Sequence, residues 1–331
     1  MRIKQYLSKL NFFMGNSPRI LSYPKNTVSK FIPFPHKAGI IISCDFELIW
    51  AWRFAKQISC DLEKAKEITI EERANIPFIL DICEEFNIPL TFATVGHLFL
   101  ERCERENGVA HPNIKRLKYF ENRYWKFSSG DWFDDDPCCN WASAQGWYAP
   151  DLIGRILNSK VKHEIACHTF SHIDCRDEVC SPEILKQEIR ECKNLASKCG
   201  IKLDSFVFPA NLTGNLRALK EEGFSSFRTD EDVLGFPKKN EYGLWQFPTT
   251  AQIGVSSYKW SIEYYIKRYK TIIERAMKHQ RLCHFWFHPS TSKRFLEPVL
   301  TELFQFIDSA RSELYVTTMG AYASYLEDAK F

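Results

Sequence analysis

Ala38-Gly39-Ile40-Ile41-Ile42-Ser43-Cys44-Asp45-Phe46-Glu47 decides how this chain is read. The run is apolar or small on both sides of a strand's period. That is how a strand covered on both faces reads, and such strands belong to parallel sheets flanked by helices. It ends on two acids one residue apart. Strand side chains alternate, so Asp45 and Glu47 project to one face and Phe46 to the other. Two carboxylates at the end of a buried strand repel each other and lose hydration, and a cation beside them relieves both costs. A lone Asp-x-Glu also occurs on acidic surface loops, but the three isoleucines directly before this one weaken that reading.

Outward from this strand the chain alternates strands and helices. A Pro-rich lead-in, residues 1–37 with Pro24, Pro33 and Pro35, precedes it. Glu71 to Phe86 reads as an amphipathic helix, Pro89 to Val95 as a strand followed by a short helix through Leu100, and Asp151 to Leu157 as a helix. Glu164 to Cys167 is a strand. Ser181-Pro182-Glu183 supplies a cap, a first-turn proline and a first-turn acid for a helix that stops at Gly200. Ser205 to Phe208 and Ser225 to Arg228 read as strands around a helix from Asn215 to Glu222 that ends at Gly223. Ser261 to His279 is a long helix, Leu282 to Phe287 a strand, Leu296 to Ala310 a helix and Leu314 to Thr318 a last strand. About seven βα repeats with continuous apolar strands favour an α/β fold, a distorted (β/α)7 TIM-like barrel of parallel strands, over an open sheet. Residues 38–331 form one domain with one long insertion, about 103–148. The insertion carries Trp132, Asp134 to Asp136, Trp141 and Trp147, and connectors of that length usually serve as walls or lids.

Other strand ends supply imidazoles. His168 and His172, in His168-Thr169-Phe170-Ser171-His172, follow the strand Glu164 to Cys167 at its carboxyl end, where barrel sites form. Among nine histidines such a pair arises by chance often enough that a helix-face pair or two core histidines is the competing account. Together with the acid pair, the two imidazoles make the donor set of a mononuclear hydrolytic site: one acidic ligand, two neutral nitrogens and an open position. Cys167, Cys175 and Cys180 around the pair raise a structural zinc knot as an alternative, but the Cys-x2-Cys spacing of closed sites is missing. In His284-Phe285-Trp286-Phe287-His288-Pro289 the period of two puts His284, Trp286 and His288 on one face. His288 is last, at the mouth, where a proton donor belongs, whereas His284 is read as an interior histidine. His97 and His111 lack such placement and are read as structural or exposed.

Composition bounds the rest. The chain has 331 residues, 45% hydrophobic and 26% charged, enough for a sizeable core. A net charge of only +3 makes no case for nucleic acid. The 15% aromatic content suits a sugar cleft or simply a thick core. Twelve cysteines without even spacing point to a reducing cytoplasm. No apolar run spans a membrane, and Met1 to Gly15 lacks a signal peptide's features. That segment places Ile3, Leu7, Leu10 and Met14 on one helical stripe. The stripe suits a helix packed on the domain or an interfacial helix in peripheral contact with anionic lipid.

Four segments, taken in order, resemble the polysaccharide deacetylase family, carbohydrate esterase family 4, over about Ala38 to Leu326. His168-Thr169-Phe170-Ser171-His172 resembles the family's H-[ST]-x-x-H metal motif. Cys44-Asp45-Phe46-Glu47 is similar to its first motif in a D-x-E variant. Ser205-Phe206-Val207-Phe208-Pro209 occupies the place of its Pro-containing third motif, and Phe285-Trp286-Phe287-His288-Pro289 resembles the final one. The resemblance implies that Glu47, His168 and His172 hold one divalent metal, most readily Zn2+, with Co2+, Mn2+ or Ni2+ as alternatives. It implies Asp45 as base and His288 as acid in the N-deacetylation of a carbohydrate, in a polysaccharide or its lipid-linked precursor, as in cell-surface polysaccharide biosynthesis. Two departures stand out. No Arg flanks Pro209 to steady the base, and Arg228 at the end of the next strand is the nearest substitute. The Asp that tunes the acidic His is not evident, with Asp230 or Asp232 as replacements. The other readings are a deformylase or small-molecule amidohydrolase of the same fold, and a non-catalytic carbohydrate-binding barrel.

Overall fold

The computed structural model describes residues 17–256 and 260–329, so the N-terminal stripe from Met1 to Gly15 lies outside the described residues. β1 (Ala38–Phe46) is buried along its whole length. Its side chains divide between two layers, as alternation requires. Ile40, Ile42, Cys44 and Phe46 join the large core between sheet and helices. Ile41 joins a smaller cluster with Ala93, Val207, Phe247 and Leu282, which lies inside the curl of the sheet.

Every neighbour of β1 runs parallel to it. On one side follow β2 (Thr91–Thr94), β3 (Glu164–Cys167), β4 (Ser205–Val207), β5 (Ser226–Thr229) and β6 (Trp245–Pro248). On the other side lie β8 (Leu282–Phe287) and then β7 (Ala251–Gln252), while β9 (Leu314–Thr317) pairs with the first half of β1. β6 and β7 are successive parts of one extended stretch parted by Thr249 and Thr250, so the row curls round into a distorted barrel. Helices α1 (Leu62–Phe86), α2 (Pro150–Leu157), α3 (Pro182–Lys198), α4 (Leu216–Glu221), α5 (Ile262–His279), α6 (Lys293–Ser309) and α7 (Met319–Asp328) complete seven βα units. The fold is the single-domain (β/α)7 barrel that the repeats anticipate.

Several elements depart from the sequence expectation. α1 starts at Leu62 rather than Glu71, because the Asp61 side chain caps it by accepting from the amides of Glu63 and Lys64. β6, β7 and α7 have no counterpart in the reading above. α7 is capped by Thr318, and its buried residues Met319, Tyr322 and Leu326 close the inside cluster from below. The insertion contains two short hairpins, Arg105–Glu106 with Val109–Ala110 and Phe120–Glu121 with Lys126–Phe127. It is tied down as a wall. The Trp132 indole donates to Ser171 Oγ at 2.9 Å, and Asn122 donates to Asp174 at 2.8 Å. All twelve cysteines are free thiols. No described helix is long and apolar enough to cross a membrane.

Candidate metal centre at the barrel mouth

Asp45 and Glu47 lie at the carboxyl end of β1. Leu48, with φ of 50°, turns the chain sharply there. The amides of Glu47 and Leu48 both donate to the Glu72 carboxyl of α1 at 3.0 Å, which fixes the turn. His168 follows β3, and the loop to His172 holds Thr169 and His172 at φ of 59°, a strained conformation of order ~1 kcal/mol each. Glu188 of α3 holds that loop by accepting from the Ser171 amide and hydroxyl at 2.8 Å.

The two loops aim three side chains at one point. His168 Nε2 is 2.9 Å and His172 Nε2 3.1 Å from Glu47 Oε1. His168 Nδ1 donates to the Val207 carbonyl at 2.7 Å, which leaves its Nε2 as a bare lone pair. Burial lowers the pKa of His172, which favours the unprotonated form that a metal ligand requires. Burial would raise Glu47, but a proton carried by the neighbouring imidazoles of His172, His288 or His168 outweighs it and holds the carboxyl well below the usual range, so the carboxylate stays ionised. One ionised oxygen facing imidazole lone pairs is a poor hydrogen-bonding arrangement and a good ligand set. The three donors fit a divalent cation of zinc's type. Trp125 of the insertion packs edge-on against His172, with centroids 5.0 Å apart.

Asp45 belongs to a second set of contacts. Arg228, fully buried on β5, grips both its oxygens at 2.5 Å. The same guanidinium reaches Ser43 Oγ at 3.0 Å and Asn211 Oδ1 at 3.0 and 3.2 Å, and lies 4.8 Å from the Trp286 ring. The structure thus brings the β5 arginine to the carboxylate that the third motif leaves without one. Asn211, two residues beyond Pro209, is a partner that sequence reading missed, and its φ of 56° shows how local the signal was. His284 is interior, as its place on the strand implies: its Nε2 is 3.0 Å from Ser43 Oγ, and burial with the nearby Arg228 charge lowers it to about 3.

His288 stands at the end of β8. It is half-buried where the others are buried, and its Nε2 is 3.9 Å from Asp45 Oδ2 and 3.7 Å from Glu47 Oε2. The tuning acid expected at Asp230 or Asp232 is not there. Asp230 accepts from the Thr249 hydroxyl at 3.1 Å, and the carboxylates that pair with His288 are Asp45 and Glu47, not Asp230 or Asp232. The Gln252 amide of β7 faces His288 Nδ1 instead, at 3.4 Å. That strand was not anticipated, which is why the residue was missed.

His97 is fully buried, and with His111, Cys103 and Asp136 it forms a compact cluster within the insertion's base. Cys167, Cys175 and Cys180 join no ligand cluster among the described residues.

Glu72 gives a pH prediction. Burial and then the Glu47 charge raise its pKa to about 8, above its unfolded value near 4.5. Below that unfolded value the protonated side chain costs nothing. As pH rises from 5 through 8 the unfolded chain releases the proton first, so stability falls. Glu72→Gln keeps an oxygen for the two amides and should flatten the decline of melting temperature between pH 5 and 8, a curve that thermal denaturation measures directly.

No protein-family model matches the sequence, and no curated protein matches it. Solved structures do. A protein described as a polysaccharide deacetylase from Mycobacterium smegmatis shares 14% identity at a TM-score of 0.61, with 95% of this chain and 96% of that one covered. A second, from Pseudomonas aeruginosa PAO1, shares 12% identity at 0.63, covering 90% and 94%. The Puue allantoinase shares 14% at 0.62, covering 94% and 99%. The likeness is one of fold: this chain has the barrel of those deacetylases and of that allantoinase.

Proposed function

We propose that this chain is a member of the polysaccharide deacetylase family, carbohydrate esterase family 4, and acts as a divalent-metal-dependent hydrolase. Its reaction removes an N-acetyl group from a sugar in a polysaccharide or its lipid-linked precursor. The observation that carries the reading is the meeting of His168 and His172 Nε2 on Glu47 Oε1, with Asp45 and His288 at the same mouth. Glu47, His168 and His172 would hold the ion. Zinc suits them best, and cobalt, manganese or nickel accept the same donors. When bound, such an ion polarises an amide carbonyl and lowers the pKa of a water toward 7.

The remaining chemistry falls to the chain. Asp45 takes a proton from the attacking water as the C–O bond forms, and Arg228 orients the carboxylate for that task. His288 gives its Nε2 proton to the nitrogen as the C–N bond breaks, because an amide anion is too poor a leaving group. Acetate and a free amine leave. Proton exchange with solvent restores both residues.

A second reading, a small-molecule amide hydrolase, draws on the likeness to the allantoinase, which is as strong in fold as that to the deacetylases. Product release from N-acetylglucosamine oligomers, formylated oligomers and cyclic ureides separates the two. Acetate release that chelation stops, that Zn2+ restores and that His168→Ala lacks is the expected result. Turnover of the ureide alone selects the second reading. Oligomer binding with no release, in protein loaded with metal, refutes both in favour of a binding barrel.

A further inference from the structure

The cluster at the base of the insertion has no part in the chemistry above. We propose that His97, Cys103, His111 and Asp136 form a second, structural zinc site, which staples the insertion to the barrel behind the ligand loop.

The geometry points to four-coordinate binding. Tetrahedral zinc with bonds of about 2.0–2.3 Å needs nitrogen and oxygen donors about 3.3 Å apart, and sulfur about 3.6 Å from either. His97 Nε2 and His111 Nε2 are 3.2 Å apart, and lie 3.0 and 2.9 Å from Asp136 Oδ2. Cys103 Sγ is 3.5 Å from Asp136 Oδ2 and 3.9 Å from His97 Nε2. Five of the six donor separations thus lie within about 0.4 Å of those of tetrahedral zinc, and all four donor atoms lie within 4.8 Å of one another. Two imidazole nitrogens 3.2 Å apart, both facing one carboxylate oxygen, are hard to account for by hydrogen bonds alone.

The outer contacts fit as well. His97 Nδ1 donates to the Trp147 carbonyl at 3.0 Å, so its Nε2 carries the lone pair. Asp136 Oδ1 accepts from the Tyr148 hydroxyl at 3.2 Å and the Cys138 amide at 3.0 Å, leaving Oδ2 free to ligate. Binding transfers one proton from the Cys103 thiol to solvent as the S–Zn bond forms. One thiolate and one carboxylate then neutralise Zn2+, which makes a buried site electrically balanced.

The site's position gives it a task. The His97 amide donates to the Phe170 carbonyl at 2.9 Å, and the Gly96 amide to the Thr169 carbonyl at 2.8 Å. The backbone of one ligand thus holds the loop between His168 and His172, while Cys103, His111 and Asp136 anchor a segment with little regular structure of its own.

Metal analysis tests this without any activity measurement. Wild-type protein should hold two ions per chain, Cys103→Ser and His111→Ala one each, and His168→Ala one. Cobalt-substituted wild type should show a thiolate-to-cobalt charge-transfer band that His168→Ala keeps and Cys103→Ser loses. The band reports the second site alone, since the mouth has no sulfur ligand, so each site can fail independently of the other. Wild-type protein that binds one ion and shows no thiolate band overturns the proposal, whether or not the variants fold.

Discussion

Asp45→Asn should lower acetate release by about 10²–10⁴-fold while the ion content of the mouth stays unchanged. Asn matches Asp in size but has no negative charge and little basicity, so it cannot take the water proton. Asp45 is not one of the three residues whose donor atoms converge at Glu47 Oε1, so the ion should remain. Metal content and rate are therefore expected to separate in this variant, whereas His168→Ala should lose both. A rate within about twofold of wild type would remove Asp45 as the base.

Arg228→Met should destabilise the folded chain by about 3–5 kcal/mol, the usual cost of stripping the partner from a buried charge. Asp45 is nearly inaccessible to solvent, and both its oxygens meet the guanidinium at 2.5 Å. Removing the cation leaves that carboxylate dry and unpaired, and removes the donors to Ser43 and Asn211 as well. The double variant Asp45→Asn/Arg228→Met should recover a large part of the loss, because position 45 no longer carries a buried charge that needs a partner. Arg228→Lys should fall between, since one ammonium cannot match a two-pronged grip. Urea denaturation of wild type, Asp45→Asn, Arg228→Met and the double variant measures the coupling. A double variant as unstable as the sum of the singles would show that the pair contributes no specific interaction.

The same pair shows how far the sequence could be read. A buried run ending in Asp-x-Glu announces its inner face, because the period of two is built into the strand. The imidazoles at the end of β3 and β8 are legible for the same reason. Arg228 was legible only as the nearest cation, since nothing in Ser226 to Thr229 says which inner-facing residue of another strand it meets. Gln252 and Asn211 were not legible at all. One lies on a strand too short for any pattern, and the other on a turn whose φ is positive without a glycine to mark it.

His97, Cys103, His111 and Asp136 carry the lesson furthest. Local sequence determines which residues are strand, which face is inward and which chemistry each strand end offers, because those properties depend on neighbours a few residues away. It therefore determined the parallel barrel and the acid and imidazoles at its mouth. The fit of Arg228 to Asp45, of Gln252 to His288, and of three donors from a long irregular insertion to His97 was decided only when the chain closed. Such contacts join residues far apart along the backbone, and their distances are set by the packing of everything between them.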